Sequence, residues 1–198
     1  MTTVSRRAPA ADEPDAAAAP RLLRGRLLLL DDHENLCGGP DAPAAVARAV
    51  WEALTDALRV NDEDNVVVGL SDFGVKNFMD SLPVNSFQLV SGKGQDAADR
   101  ALIEAVDPDH VADRFDSVAI ASGDHIFADL ARRLRRRGLL VCNVTAGPAG
   151  ASHALARACH CRARLKLDVR DRGRLSRAAA SRAGAHGYEG RWIVRHLG

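Results

Sequence analysis

The chain has 198 residues, of which 46% are apolar and 27% are charged, and its formal net charge is +1. This composition is typical of a folded globular protein and excludes a chain that is disordered throughout. No apolar run approaches the roughly 18 residues that a membrane-spanning helix needs.

The first segment, residues 1–24, mixes alanine with charged residues of both signs. It lacks the continuous apolar core of a secretory signal, so we expect a disordered leader and a cytoplasmic protein. In that compartment the four cysteines are expected to be reduced thiols rather than disulfides.

The folded region begins with a strand over residues 25–30, whose apolar run is continuous and therefore typical of a strand buried on both faces. After a loop rich in glycine, Asp41 is expected to cap a helix whose apolar residues recur at helical spacing. Residues 66–70 predict a second buried strand. Ser71 or Asp72 is then expected to cap a short helix.

The middle of the chain continues this alternation of strands and helices. Residues 87–90 predict a short third strand, and the Gly-Lys-Gly run at 92–94 predicts a turn, because it lacks the spacing of a phosphate-binding loop. A helix follows. Residues 117–121 predict the fourth strand. The next helix starts after Asp124 and ends in an arginine run followed by glycine at 135–138, the expected stop signals.

The last part of the chain predicts a fifth strand at 139–144, a helix at 152–161 and a sixth strand at 164–169. The Cys-His-Cys run at 159–161 lacks the two-residue gap of a zinc knuckle, so a half-buried helix end is the preferred interpretation. Beyond residue 170 the chain is rich in Arg, Ala and Gly, and only 188–194 has the pattern of a further strand.

Strands that alternate with helices predict an α/β fold, in which right-handed crossovers build a mostly parallel sheet flanked by helices on both faces. The expected organisation is a leader at residues 1–24, one domain at 25–169 and a basic C-terminal extension at 170–198.

The small net charge conceals two oppositely charged parts. Residues 1–129 contain 11 Lys and Arg against 23 Asp and Glu, a net charge of −12, whereas residues 130–198 contain 16 against 3, a net charge of +13. One interpretation is an acidic site beside a surface that attracts a polyanion. The other is a solvated basic face with a disordered tail, and the composition leaves both open.

Two acidic motifs follow predicted strands. Asp32 comes after the apolar run 27–30, and Asp124 comes after the run 118–121. Parallel strands end at the same edge of an open sheet, where ligands bind, so the two carboxylates are expected to meet in space. Paired carboxylates suit a hard divalent cation, which indicates metal-assisted chemistry on an anionic substrate.

Three motifs occur in order along the chain: LLLLDDHENL at 27–36, KGQDAADRAL at 93–102 and SGDHIFADL at 122–130. Their order resembles the NYN domain, a branch of the PIN-like nuclease superfamily. The resemblance covers roughly residues 25–165. It implies a three-layer PIN-like (Rossmannoid) domain with a mostly parallel central sheet, and a Mg²⁺- or Mn²⁺-dependent ribonuclease. The implied partner is RNA, with no membrane, and homo-oligomers are left open.

The resemblance also implies roles for individual residues. The candidate catalytic and metal-binding residues are Asp32, Asp99 and Asp124, with Asp96 as a further metal ligand. Four further residues are candidates for contacting the substrate: Asn35, Ser122, Arg132 and Arg136. The two arginines suit an RNA backbone, whose phosphates bind cations without revealing sequence.

Two positions depart from the family pattern, and one of them is His33, which stands where the first motif of the family has glycine. Many relatives carry a second carboxylate two residues after the Ser-Gly-Asp aspartate, where this chain has Ile126. The alternative prediction is therefore a catalytically degenerate PIN-like module that binds RNA or regulates a partner. A simpler alternative also stays open, in which Asp32 and Asp124 only cap the turns that follow them.

Overall fold

The structure is a computed structural model that describes residue 23, residues 25–146 and residues 150–166, together with the backbone of the strand Arg191–His196. The predicted leader therefore lies outside the described residues except for Leu23. The predicted basic extension lies outside them except for that strand.

A single seven-stranded sheet forms the centre of the molecule, in the order β3-β2-β1-β4-β5-β6-β7. Its strands are β1 (Leu27–Asp32), β2 (Asn65–Ser71), β3 (Gln88–Gly92), β4 (Ser117–Ala121), β5 (Leu140–Ala146), β6 (Cys161–Lys166) and β7 (Arg191–His196). Strands β1 to β6 pair in parallel, and β7 adds to β6 in antiparallel orientation. The predicted mostly parallel α/β sheet is confirmed.

In the described part of the chain, seven α-helices connect the strands. They are α1 (His33–Cys37), α2 (Ala44–Leu58), α3 (Asp72–Phe78), α4 (Ala97–Glu104), α5 (Pro108–Ala112), α6 (Ala128–Arg136) and α7 (His153–Ala158). Helices α1 to α3 cover one face of the sheet, and α4 to α7 cover the other. Within the described ranges, no helix has the length and apolarity needed to cross a membrane.

The central strand β1 shows why its apolar run is continuous. Leu27 and Leu29 pack into the core under α2, whereas Leu28 and Leu30 pack into the second core under α4 to α6. Side chains alternate between the two faces of a strand, so a strand covered on both faces needs apolar residues at every position. The three-layer arrangement follows directly from this pattern.

Two local expectations are wrong. The residue before α2 is Pro43, which makes no side-chain cap, so Asp41 does not cap this helix. The last predicted helix ends at Ala158, and β6 begins at Cys161, three residues before the expected start. The physical reason is that Cys161, Ala163 and Leu165 are buried at the period of two that a strand requires.

Candidate active site

A cavity of about 730 Å³ opens where β1 and β4 end. The chain builds the sheet to one side of β1 with β2 and β3, and to the other side with β4, which makes this edge the switch point of the topology. Open α/β sheets bind ligands at such points. Acidic residues from three separate segments line the cavity: Asp32, Glu34, Asp96, Asp99 and Asp124.

Asp32 is the last residue of β1 and is only 5% exposed. It has the same parity along the strand as Leu28 and Leu30, so it lies on the α4 side of the sheet. Its Oδ2 accepts a hydrogen bond from Ser122 Oγ at 2.7 Å, and its Oδ1 accepts a long one of 3.4 Å from the Asn35 backbone N–H. Both carboxylate oxygens are therefore oriented by the protein.

Ser122 connects the two strand ends. The buried hydroxyl that donates to Asp32 also accepts a hydrogen bond of 3.0 Å from the Asp124 backbone N–H. Asp124 Oδ1 in turn accepts from the Ile126 N–H at 3.0 Å and lies 2.8 Å from His125 Nδ1. Asp124 thus caps the turn after β4, as the simpler alternative expected, and lines the cavity as well.

Helix α4 brings the third carboxylate. Asp96 precedes the helix with a left-handed φ of 52°, and Asp99 lies in the first turn. The helix can approach the sheet closely because β2 has a glycine at the contact, where a Cβ on Gly69 would come within 2.5 Å of Leu102 Cδ1. Asp99 lines the same cavity as Asp32, and its negative charge acts on the Asp32 carboxyl group.

Burial and neighbouring negative charges raise the pKa values of these two carboxyl groups. Burial, followed by the negative charge of Asp99, raises the pKa of Asp32 well above its usual range. Burial also raises the pKa of Asp99, and Asp124, Asp96 and Glu34 add to that effect. Two carboxyl groups that resist simultaneous ionisation are held together by a shared proton or by a cation.

The donor chemistry fits a hard divalent cation. The cavity offers carboxylate oxygens, and Mg²⁺ binds proteins through one or two carboxylates while keeping several waters. In the described part of the chain, no cluster of three or more His, Cys, Asp and Glu side chains is arranged to hold a metal ion. Asp32 and Asp99, whose pKa values are both raised, are the candidate metal ligands, and Asp124 lines the cavity beside them.

Asn35 and Glu34 hold the loops around the cavity in place. Asn35 Oδ1 accepts a hydrogen bond of 2.9 Å from the Gly123 N–H, and Glu34 Oε1 accepts from both the backbone and the hydroxyl of Ser71, at 2.8 and 2.6 Å. Glu34 was not among the candidates from the sequence, although it stands within the first acidic motif. Ser122 and Asn35 thus make internal bonds, and direct substrate contact by either remains a prediction.

The two candidate arginines of α6 lie away from the cavity lining. Arg132 approaches Asp129 on its own helix at 3.7 Å, and Arg136 stands in the exposed last turn. Arg135 of the same run donates to the Arg157 carbonyl at the end of α7. An RNA contact by Arg132 or Arg136 remains a prediction that the cavity geometry does not support.

Beneath the cavity, on the opposite face of β1, lies a buried pair of charged residues. His33 Nδ1 is 2.9 Å from Asp31 Oδ2, and its Nε2 is 3.0 Å from the Ala47 carbonyl oxygen. Burial lowers the pKa of His33, but the Asp31 carboxylate outweighs it and holds that pKa well above the usual value. Both ring nitrogens face oxygen acceptors, as an imidazolium requires.

Three comparisons with known proteins bear on this site. A family model described as the NYN domain matches residues 44–164, more than half of the chain, and includes Asp99 and Asp124. A crystal structure of a protein of unknown function from Vibrio parahaemolyticus is similar at 16% identity and a TM-score of 0.46, covering 71% of this chain and 93% of that one. A search of curated proteins gave no match.

Proposed function

Because this chain belongs to the NYN domain family, part of the PIN-like nuclease superfamily, we propose that it is a metal-dependent ribonuclease that hydrolyses RNA phosphodiester bonds. The proposed domain is residues 25–169, and the proposed location is the cytoplasm. One observation carries the proposal. Asp32 and Asp99 come from distant segments of the chain and line one cavity at the switch point of the sheet, where the pKa of each carboxyl group is raised.

The roles of the residues follow from their contacts. Asp32 and Asp99 are the proposed catalytic pair and would hold Mg²⁺ or Mn²⁺, with Asp124 and Asp96 as further acidic ligands. The cation supplies Lewis-acid stabilisation of the negative charge that develops on the phosphodiester. Ser122 is a positioning residue, because its hydroxyl orients Asp32 and receives the Asp124 N–H.

The test is a cleavage assay with a labelled single-stranded RNA in Mn²⁺, in Mg²⁺ and in excess chelator. Asp32→Asn preserves the shape of the side chain and removes its charge, so we expect cleavage to fall by about 100-fold or more. Chelator should abolish the activity of the unmodified protein. Cleavage that survives Asp32→Asn would assign the activity to another site or to a contaminant.

A second candidate function rests on Ile126. This side chain packs against the core under α4 to α6, at the position where many relatives of the family carry a carboxylate. A site with one acidic ligand fewer binds a cation more weakly, which favours an RNA-binding module without catalysis. This module would bind RNA in a salt-sensitive way and leave it intact in the same assay.

A further inference from the structure

A second cleft, with a basic lining, adjoins the acidic cavity. It has a volume of about 320 Å³, within the range of small-ligand pockets. Its walls come from neighbouring positions on two strands, because Asn143 of β5 is the register partner of Arg162 of β6, and Thr145 is the partner of Arg164. Among the described residues that line it there are two guanidinium groups and no carboxylate.

The four side chains share one face of the sheet for a simple reason. Neighbouring strands in register place paired residues on the same side, and the alternate residues of β6, Cys161 and Ala163, pack into the core on the other face. Arg162 is half-buried and Arg164 is exposed. Both arginines are therefore directed away from the core under α2, on the face where the cleft lies.

Asn143 adds an observation that points to a ligand. It is fully buried in the cleft wall, and its Nδ2 donates to the carbonyls of Ile120 at 3.0 Å and Ser122 at 2.8 Å. Its Oδ1 has no hydrogen-bond partner among the described residues. An unsatisfied buried oxygen normally has a partner supplied by solvent or ligand. Two guanidinium groups and one acceptor suit a molecule that carries phosphate oxygens and a hydrogen-bond donor.

The two cavities meet at one short segment. Gly150 lines both of them, and Ser152 fixes this segment to the site, because its backbone N–H donates to the Gly123 carbonyl at 2.8 Å. Gly123 in turn stands between Ser122 and Asp124. A bound nucleic-acid strand that leaves the acidic cavity past Gly150 would therefore enter the basic cleft directly.

We propose that this basic cleft, formed by Asn143, Thr145, Arg162 and Arg164, is a subsite for the nucleotide next to the scissile phosphate of a single-stranded RNA. The inference rests on the proposed ribonuclease function for its substrate. Arg162 and Arg164 bind the phosphate, and Asn143 Oδ1 accepts a hydrogen bond from a ribose hydroxyl or base amino group of the same nucleotide. The acidic cavity alone repels RNA, and the cleft provides the opposing attraction.

The experiment measures RNA binding separately from cleavage. Fluorescence anisotropy of a labelled single-stranded RNA in chelator, over a series of salt concentrations, compares the unmodified protein with Arg162→Gln, Arg164→Gln and the double variant. Arg48→Gln is the matched control, since Arg48 is exposed on α2 across the sheet. Arg162→Lys with Arg164→Lys serves as a second variant that preserves the charge, and thermal melting checks that each protein is folded.

The expected result is about tenfold weaker binding by the double glutamine variant, with the slope of log K against log salt reduced by about 1.4. The lysine pair should retain most of the binding, and Arg48→Gln should bind as the unmodified protein does. Unchanged binding by the double glutamine variant would overturn the subsite, as would an equal loss in Arg48→Gln.

Cleavage in Mn²⁺ distinguishes this inference from the proposed function. If the protein cleaves RNA, the double glutamine variant should raise KM about tenfold and leave kcat within about twofold, because the cleft holds the substrate away from the acidic pair. An unchanged KM in an active enzyme would refute the subsite alone. If the unmodified protein binds RNA without cleaving it, and the double variant weakens that binding, the ribonuclease proposal fails and the subsite stands.

Discussion

Two adjacent aspartates have opposite environments. Asp31 faces the core under α2 and pairs with His33, whereas Asp32 faces α4 and meets the negative charge of Asp99. Alternation along β1 separates them, although both are buried. The charge of Asp31 is balanced by an imidazolium, and the charge of Asp32 meets another carboxyl group. The same substitution at the two positions should therefore change stability in opposite directions.

Asp32→Asn should stabilise the fold by about 1 kcal/mol at neutral pH, because it removes a buried negative charge that Asp99 repels, and such functional groups commonly cost stability. The oxygen of the new amide still accepts a hydrogen bond from Ser122, and the neutral amide no longer repels the Asp99 carboxylate. Asp31→Asn is the matched control and should destabilise by about 3 kcal/mol, because it leaves His33 buried without a counter-charge. Urea unfolding of both variants measures these changes. Destabilisation by Asp32→Asn would contradict the assignment of its environment.

At the scale of secondary structure, α4 depends on one small residue. Gly69 lets the helix lie close to β2, and a methyl group there would contact Leu102 Cδ1 at 2.5 Å and the Ala98 carbonyl oxygen at 3.2 Å. Leu102 is fully buried, so its side chain has little room to move aside. The close approach matters for the site, because the first turn of this helix carries Asp99.

Gly69→Ala should destabilise the protein by about 1–3 kcal/mol and reduce RNA cleavage, because overpacking pushes α4 and its carboxylate away from β1. Leu102→Ala alone should cost about 2–5 kcal/mol through its cavity. In the double variant the new methyl group fills part of that cavity, so its cost should be well below the sum of the two. A double-mutant cycle by urea unfolding tests this. Additive costs would show that Leu102 does not set the helix position.

The elements also show what could be predicted from the sequence. Continuous apolar runs identified β1, β2 and β4, and their common edge predicted that Asp32 and Asp124 would lie near each other. The basic cleft was not predictable, because the expected helix 152–161 overlapped the true start of β6 at Cys161. Placing β6 three residues too late hides the pairing of Arg162 with Asn143. Alternation over only six residues is a weak signal beside a longer helical pattern.

At the scale of the whole molecule, three groups at the cavity and beneath it act on stability in one direction, whereas His160, whose pKa is lowered by burial and by Arg135, acts in the other. Asp32, Asp99 and His33 all have pKa values raised by folding. A group with a raised pKa binds its proton more tightly in the folded state, so its contribution is present at low pH and is lost as pH rises. The stability contributed by the two carboxyl groups begins to fall above about pH 4, and that contributed by the imidazole begins to fall above about pH 6.5.

Thermal stability should therefore decline as pH rises from about 5 to about 8. Ordinary exposed carboxylates are already ionised in this interval and do not make stability depend on pH. Melting followed by circular dichroism at constant ionic strength measures this. Asp32→Asn removes the carboxyl contribution, so the decline between about pH 5 and pH 6 should flatten in that variant. A melting temperature that rises with pH over this interval would contradict the raised pKa values.

The hydrogen bond between Ser122 and Asp32 joins residues 90 positions apart. During synthesis the chain can form β1, β2 and β3 with local crossovers, but the acidic pocket has no far wall until β4 docks on the other side of β1. Proteins emerge from the ribosome at about 5–20 residues per second, so several seconds separate the two events. On the proposed function, the nascent chain lacks a competent nuclease centre while its early part emerges, which protects the messenger RNA that is being translated beside it.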